Sequence, residues 1–160
     1  MSFDTIAAIS TPRGKGGVAL IRISGSEAAD IGDRIFRPKS KKPLSAHTER
    51  TAVFGDIVGD DGASVDSGLA VLFRAPRSFT GEDTVEISCH GGILLTQNIL
   101  SVAFSAGAVQ AGPGEFTRRA FSAGKISLTE AESVIGMIDA KTNAALMLAQ
   151  SGLSGTLRQK

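Results

Sequence analysis

The strongest constraint on the fold lies in residues 76–92, where a turn, a strand and a glycine-hinged exit follow one another without filler. Pro76-Arg77-Ser78-Phe79-Thr80-Gly81-Glu82-Asp83 combines proline, glycine and two acids, which is turn chemistry. From Thr84 onward polar and apolar residues alternate as in a half-buried strand, and His90-Gly91-Gly92 then releases the chain. Val85, Ile87 and Cys89 share one face of that strand, and Thr84, Glu86 and Ser88 share the other. A carboxylate therefore projects from mid-strand, either as part of a solvated face or as a ligand contact.

The 160 residues suggest one medium domain, or one domain and part of another, and 42% hydrophobic residues are enough for a real core. Seventeen basic and sixteen acidic residues nearly cancel, so no overall field draws the chain to nucleic acid or to an anionic membrane. With one cysteine there is no internal disulfide, and the N-terminus lacks the basic flank and apolar run of a signal peptide. Every apolar run is interrupted before it reaches bilayer-spanning length. The expectation is a soluble protein of a reducing, cytoplasmic setting with no membrane contact.

Residues 5–9 read as a short strand, followed by Arg13-Gly14-Lys15-Gly16-Gly17. That segment is not a Walker loop, because Lys15 is followed by Gly16 and a strand and the four-residue spacer is missing. Its glycines and cations either cradle a carboxylate or phosphate or form a mobile turn. Residues 17–23 are the most apolar strand, with Ala19, Ile21 and Ile23 on one side and Val18, Leu20 and Arg22 on the other. A guanidinium there sits at a rim or is paired, since a buried unpaired charge is too costly. Ser24 and Glu27 have capping-box spacing, and Ala28, Ile31, Ile35 and Phe36 mark the packed face of a helix that Pro38 stops.

Residues 39–50 read as an exposed loop, in which His47 has no partner at metal-ligand spacing. Two strands, 51–59 and 67–73, flank the turn Asp60-Asp61-Gly62. A helix over 93–104 is closed by Gly107, residues 108–111 suggest one more strand, and a short helix spans 116–122. Thr129 and Glu132 have capping-box spacing, and apolar residues from Leu128 to Leu153 follow a helical period, which predicts one long amphipathic helix. This order lacks strict βα alternation and predicts an α+β fold, a largely antiparallel sheet with packed helices.

Three stretches together carry a resemblance. They are Asp4-Thr5-Ile6-Ala7-Ala8-Ile9 with Arg22-Ile23-Ser24-Gly25, Ser78-Phe79-Thr80-Gly81-Glu82-Asp83 with His90-Gly91-Gly92, and Pro113-Gly114-Glu115-Phe116-Thr117-Arg118-Arg119-Ala120-Phe121 leading to Gly124-Lys125 and Leu128-Thr129-Glu130-Ala131-Glu132. In this order they resemble the N-terminal part of the MnmE (TrmE) family of tRNA modification GTPases. The resemblance implies a tetrahydrofolate-binding and dimerisation domain over residues 1–117, similar to the folate domain of glycine-cleavage aminomethyltransferases, and the beginning of a helical domain over 118–160. It implies folate contacts at Arg22, Glu86 and Lys125, with 5-formyltetrahydrofolate or another tetrahydrofolate derivative as cofactor. It further implies a homodimer, a partner protein MnmG, and modification of C5 of the wobble uridine of certain tRNAs with a one-carbon unit from folate.

The family's GTPase motifs, with their GTP, potassium and magnesium, lie outside these residues, so the chain is expected to bind folate and not to hydrolyse GTP. The carboxylate of Glu86 suits the paired N–H donors of a pterin edge, and Arg22 or Lys125 suits the ligand's glutamate tail. Cys89 reads as a small core residue, and His90 either shapes the turn, lines the pocket rim or acts as a general base. The alternative function is a stand-alone folate-dependent one-carbon transferase, for which His90 and Asp83 are the available acid or base groups.

Overall fold

The structure is a computed structural model that describes residues 4–153. It comprises two compact units, Met1–Pro113 and Gly114–Lys160.

The first unit is built on a seven-stranded sheet in the order β3-β4-β5-β6-β2-β1-β7. Its strands are β1 (Ile6–Ile9), β2 (Gly16–Ser24), β3 (Phe36–Pro38), β4 (Val53–Val58), β5 (Ser64–Phe73), β6 (Thr84–Gly91) and β7 (Val109–Gln110). Neighbours are antiparallel except β7, which runs parallel to β1 and makes the sheet mixed. The fold is α+β, as the element order predicts.

Register explains which residues are covered. Leu72, Val85, Ile23 and Ala7 lie abreast across four strands, as do Ala70, Ile87 and Ile21 across three, and all are buried. Helices α1 (Ala28–Ile35) and α2 (Ile93–Ser105) close this face, contributing Ile31, Ile35, Ile99 and Ala103 to one core. One residue out of step, the rows Phe54, Leu69, Ser88, Leu20 and Val71, Glu86, Arg22, Ala8 occupy the opposite face. Phe54 and Leu69 are 53% and 44% exposed there. Gly68 is required where β5 meets β6, because a Cβ would stand 1.9 Å from the Ser88 carbonyl oxygen.

Two expectations at α1 are corrected. Ser24 ends β2 and does not cap the helix; the Glu27 N–H is instead taken by Thr5 Oγ1 at 3.0 Å. The helix stops at Ile35, and Phe36 opens β3 because its extended backbone pairs with Ile57 of β4 while its ring is buried. The 39–50 segment is less open than expected, since a 3-10 turn, Leu44–Ala46, buries Leu44. His47 is half-buried, contacting Ser40 Oγ and the Pro43 carbonyl.

The second unit holds α3 (Glu115–Ser122), α4 (Leu128–Asp139) and α5 (Asn143–Leu153). The predicted single long helix is two helices. Ala140 is extended (ψ 122), Thr142 Oγ1 accepts the Ala145 N–H, and α5 folds back until a Cβ on Gly136 would lie 3.4 Å from Ala149. Helical periodicity cannot register such a break, because each helix of an antiparallel pair keeps an apolar stripe of the same period. The capping box lies two residues earlier than expected: Ser127 Oγ accepts the Glu130 N–H, and Glu130 accepts the Ser127 N–H.

Candidate functional site

Arg22 and Glu86 are cross-strand partners on the open face of the sheet. Arg22 Nε and Nη2 both donate to Glu86 Oε1, at 2.9 and 2.7 Å, and each side chain is 22% exposed. The awkward cation of β2 and the awkward carboxylate of β6 thus answer each other. The Arg22 guanidinium also lies over the Phe79 ring, 5.4 Å from its centroid, a cation–π contact that leaves one flat surface beside a charged pair.

The loop carrying Phe79 is held by hydrogen bonds that its sequence supplies. Asp83 accepts the Ala75 N–H and pairs with Arg74 at 2.7 Å, while Ser78 donates to the Glu82 carbonyl. Gly25 N–H donates to the Asp83 carbonyl, tying the loop to the end of β2. Ser24 Oγ has one proton, so it donates to Glu82 Oε2 at 2.8 Å and accepts from Thr80 Oγ1 at 2.7 Å. Asp83, a candidate acid or base from sequence, therefore acts as a brace of this loop.

Lys125 follows α3 in the second unit, is exposed, and its backbone N–H donates to the Ala120 carbonyl. Arg22 and Glu86 are thus brought together within one unit, and Lys125 belongs to the other. Cys89 is buried, as its alternation predicts, and its thiol pKa is pushed up to about 11 by burial and then by the nearby Asp66 charge. A neutral, buried thiol of this kind is not a nucleophile.

His90 is the residue whose surroundings the sequence did not reveal. Asp66 accepts both its backbone N–H (2.9 Å) and its ring Nδ1 (2.8 Å), leaving the imidazole 69% exposed and the carboxylate 10% exposed. Burial pushes the Asp66 pKa up, but the hydrogen bonds from His90 and Ser67 and the charge of His90 together outweigh it, and the net direction is down. Phe79 and Asp66 were missed as site residues. An exposed aromatic inside a rigid turn was a readable signal for Phe79, whereas Asp66 reaches His90 only through the pairing of β5 with β6. Among the described residues no cluster of three or more His, Cys, Asp or Glu could hold a metal ion. No helix among them is long and apolar enough to cross a membrane.

The sequence is similar to known proteins over nearly its whole length. The family described as GTP-binding protein TrmE N-terminus matches residues 5–125. Proteins named tRNA modification GTPase MnmE are similar to this chain: that of Symbiobacterium thermophilum is 46% identical over 99% of the chain and 35% of the relative. The Chloroflexus aurantiacus protein is 50% identical over 98% of the chain and 34% of the relative. The Carboxydothermus hydrogenoformans protein is 49% identical over 100% of the chain and 35% of the relative. The chain spans about a third of the length of these relatives. With this match running through the strands that carry Arg22 and Glu86 and on to Lys125, the chain belongs to the MnmE (TrmE) family and corresponds to its N-terminal part.

Proposed function

We propose that the first unit is the folate-binding and dimerisation module of a tRNA modification GTPase and that the second unit begins a helical domain. The observation that carries this reading is the Arg22–Glu86 pair, half-buried on the open face of the sheet with the Phe79 ring against the guanidinium. The donor set fits a reduced pterin. Its aminopyrimidinone edge offers two parallel N–H donors, which one carboxylate accepts in a fork, and Arg22 holds that carboxylate in place. Phe79 supplies a face against which a flat ring can lie. Lys125 is the third contact that the family resemblance implies, and either Arg22 or Lys125 would meet the ligand's glutamate tail.

When bound, 5-formyltetrahydrofolate or a related tetrahydrofolate would supply a one-carbon unit. The full-length protein, with GTP, magnesium and potassium in a G domain outside these residues and with MnmG as partner, would use that unit at C5 of the wobble uridine of tRNA. The exposed Phe54 and Leu69 support a homodimer through this unit.

Titration calorimetry with 5-formyltetrahydrofolate on the wild-type chain and on Glu86→Gln tests the assignment. Losing one charge-assisted hydrogen bond of roughly 1.5–3 kcal/mol should weaken binding by about ten- to more than a hundredfold. Unchanged affinity would remove Glu86 from the site.

The Asp66–His90 pair favours the second reading, a folate-dependent transferase in its own right. An imidazole oriented by a carboxylate is a general base, and His90 lies on the Glu86 face four residues along β6, or ~13 Å away at strand rise. One-carbon turnover by the chain alone, lost in His90→Gln, would establish it; folate binding without turnover rejects it.

A further inference from the structure

We propose that the first unit carries a second small-molecule site, a cleft between α2 and the loop of residues 13–17, which binds a small amphipathic anion. The ligand has an apolar body and a single carboxylate or phosphate head. The cleft has a volume of about 680 Å³, within the range of small-molecule pockets. Ile9, Val18, Leu100 and Phe104 supply apolar walls, and Arg13 and Lys15 stand in the loop over them. Neither Arg22 nor Glu86 lines it, so it is separate from the site proposed for folate.

Charge selects the ligand class. Arg13 and Lys15 are the charged residues of the lining, with no acid among the rest. In a chain of 17 basic and 16 acidic residues this one-sidedness does not follow from overall composition. Among the described residues no hydrogen bond or ion pair involves either side chain, and both are exposed. Two cations beside an apolar cavity leave a neutral ligand without a partner for them and give an anion two.

The glycines of the loop point the same way. A Cβ on Gly14 or Gly17 would meet nothing within 4 Å, and on Gly16 only ordinary contact with the Val18 carbonyl oxygen at 3.7 Å. Gly14 is set by its backbone, since its φ of +154° is one that side chains rarely adopt, but at Gly16 and Gly17 packing does not demand glycine. Their bare backbone gives an anionic head close access to amide N–H groups, while the two cations supply the charge. The loop is not a triphosphate cradle, since the P-loop spacing is absent, and an apolar wall is the wrong surface for a polyphosphate. A compact ligand with one anionic end fits both halves of the cleft.

The test is an NMR titration of the full 160-residue chain, labelled with nitrogen-15, using 4-phenylbutyrate, 4-phenylbutyl phosphate and the neutral 4-phenylbutyramide. The expected result is that at least one anion shifts the amides of residues 13–17 and of Gln97 and Leu100, with the amide bound about tenfold more weakly. Which anion binds more tightly identifies the head group. The double variant Arg13→Gln, Lys15→Gln should level acid and amide while leaving the folded spectrum intact. Gln97→Trp, an exposed helix position filling the cleft from α2, should weaken all three probes. Saturating 5-formyltetrahydrofolate should leave the anion in place. Equal binding of acid and amide, the absence of shifts at these residues up to millimolar probe, or displacement by the folate would each overturn the proposal.

Discussion

Arg22 and Glu86 are each other's partners before any ligand arrives, which changes what a mutation at either position should do. From sequence alone, a carboxylate facing a half-dry site is poorly solvated, and Glu86→Gln would leave the fold intact or slightly steadier. With Arg22 donating twice to Oε1, the amide forfeits an ion pair. We expect Glu86→Gln to lower stability by about 0.5–1 kcal/mol, the range for pairs that are not fully buried. Urea unfolding of Glu86→Gln, Arg22→Gln and the double variant measures it, and strict additivity would show that the pair does not couple. Asp66 carries a pH prediction. Its folded pKa is depressed, so its contribution to stability is fully present above the ordinary carboxylate pKa and is lost as pH falls through the folded value. Wild-type protein should therefore lose stability faster than Asp66→Asn below about pH 4, with the two curves converging in acid. Thermal melts across that window check the sign; parallel curves would mean that the His90 contact contributes nothing.

At the scale of the element, the end of the described chain offers the sharpest discrimination. In a single long helix Gly152→Ala would stabilise, since alanine is better than glycine in a helix interior by about 1 kcal/mol. In the α4–α5 hairpin the added Cβ would stand 2.0 Å from Ser133 Oγ and 3.2 Å from Ser133 Cβ, and overpacking of this kind costs roughly 1–3 kcal/mol. The expected outcome is a lower melting temperature with faster amide exchange in α5, partly recovered when Ser133→Ala is added. A rise in stability would restore the single helix. The reciprocal capping bonds of Ser127 and Glu130 make a second check: Ser127→Ala should cost about 1 kcal/mol, and Thr129→Ala should not behave as a cap loss.

At the scale of the molecule, one sheet face is closed by α1 and α2 and the other exposes Phe54 and Leu69 beside the Arg22–Glu86 pair. If that face pairs with a second copy, Leu69→Lys should shift the chain toward monomer in light scattering while its melting transition stays cooperative. A dimer unaffected by Leu69→Lys and by Phe54→Lys would place the interface elsewhere. The 160 residues contain no P-loop spacing, so phosphate release from GTP by the purified chain, with magnesium and potassium present, should not exceed background. Release above background would mean that a triphosphate site exists without that loop.

Local chemistry in the sequence determined the elements and their faces. The alternation of Val85, Ile87 and Cys89 with Glu86 and Ser88, the opposition of Ile21 and Ile23 to Arg22, the turn at Asp60-Asp61-Gly62 and the α+β class all follow from side-chain period and turn residues, which act over a few positions. Arg22 stood out because it interrupts an apolar strand, and Glu86 because it projects a carboxylate from mid-strand. Tertiary structure decided what depends on residues far apart in the chain. It set the strand order and the parallel β7, placed Arg22 opposite Glu86 across 64 positions, and brought Asp66 to His90 across 24. It also decided that Ser24 would bond Thr80 and Glu82 and leave α1 to Thr5, and that the last apolar stripe would fold on itself. A side chain's period is a property of its neighbours along the chain, whereas a hydrogen-bond partner or a chain reversal is chosen by whatever packing brings alongside.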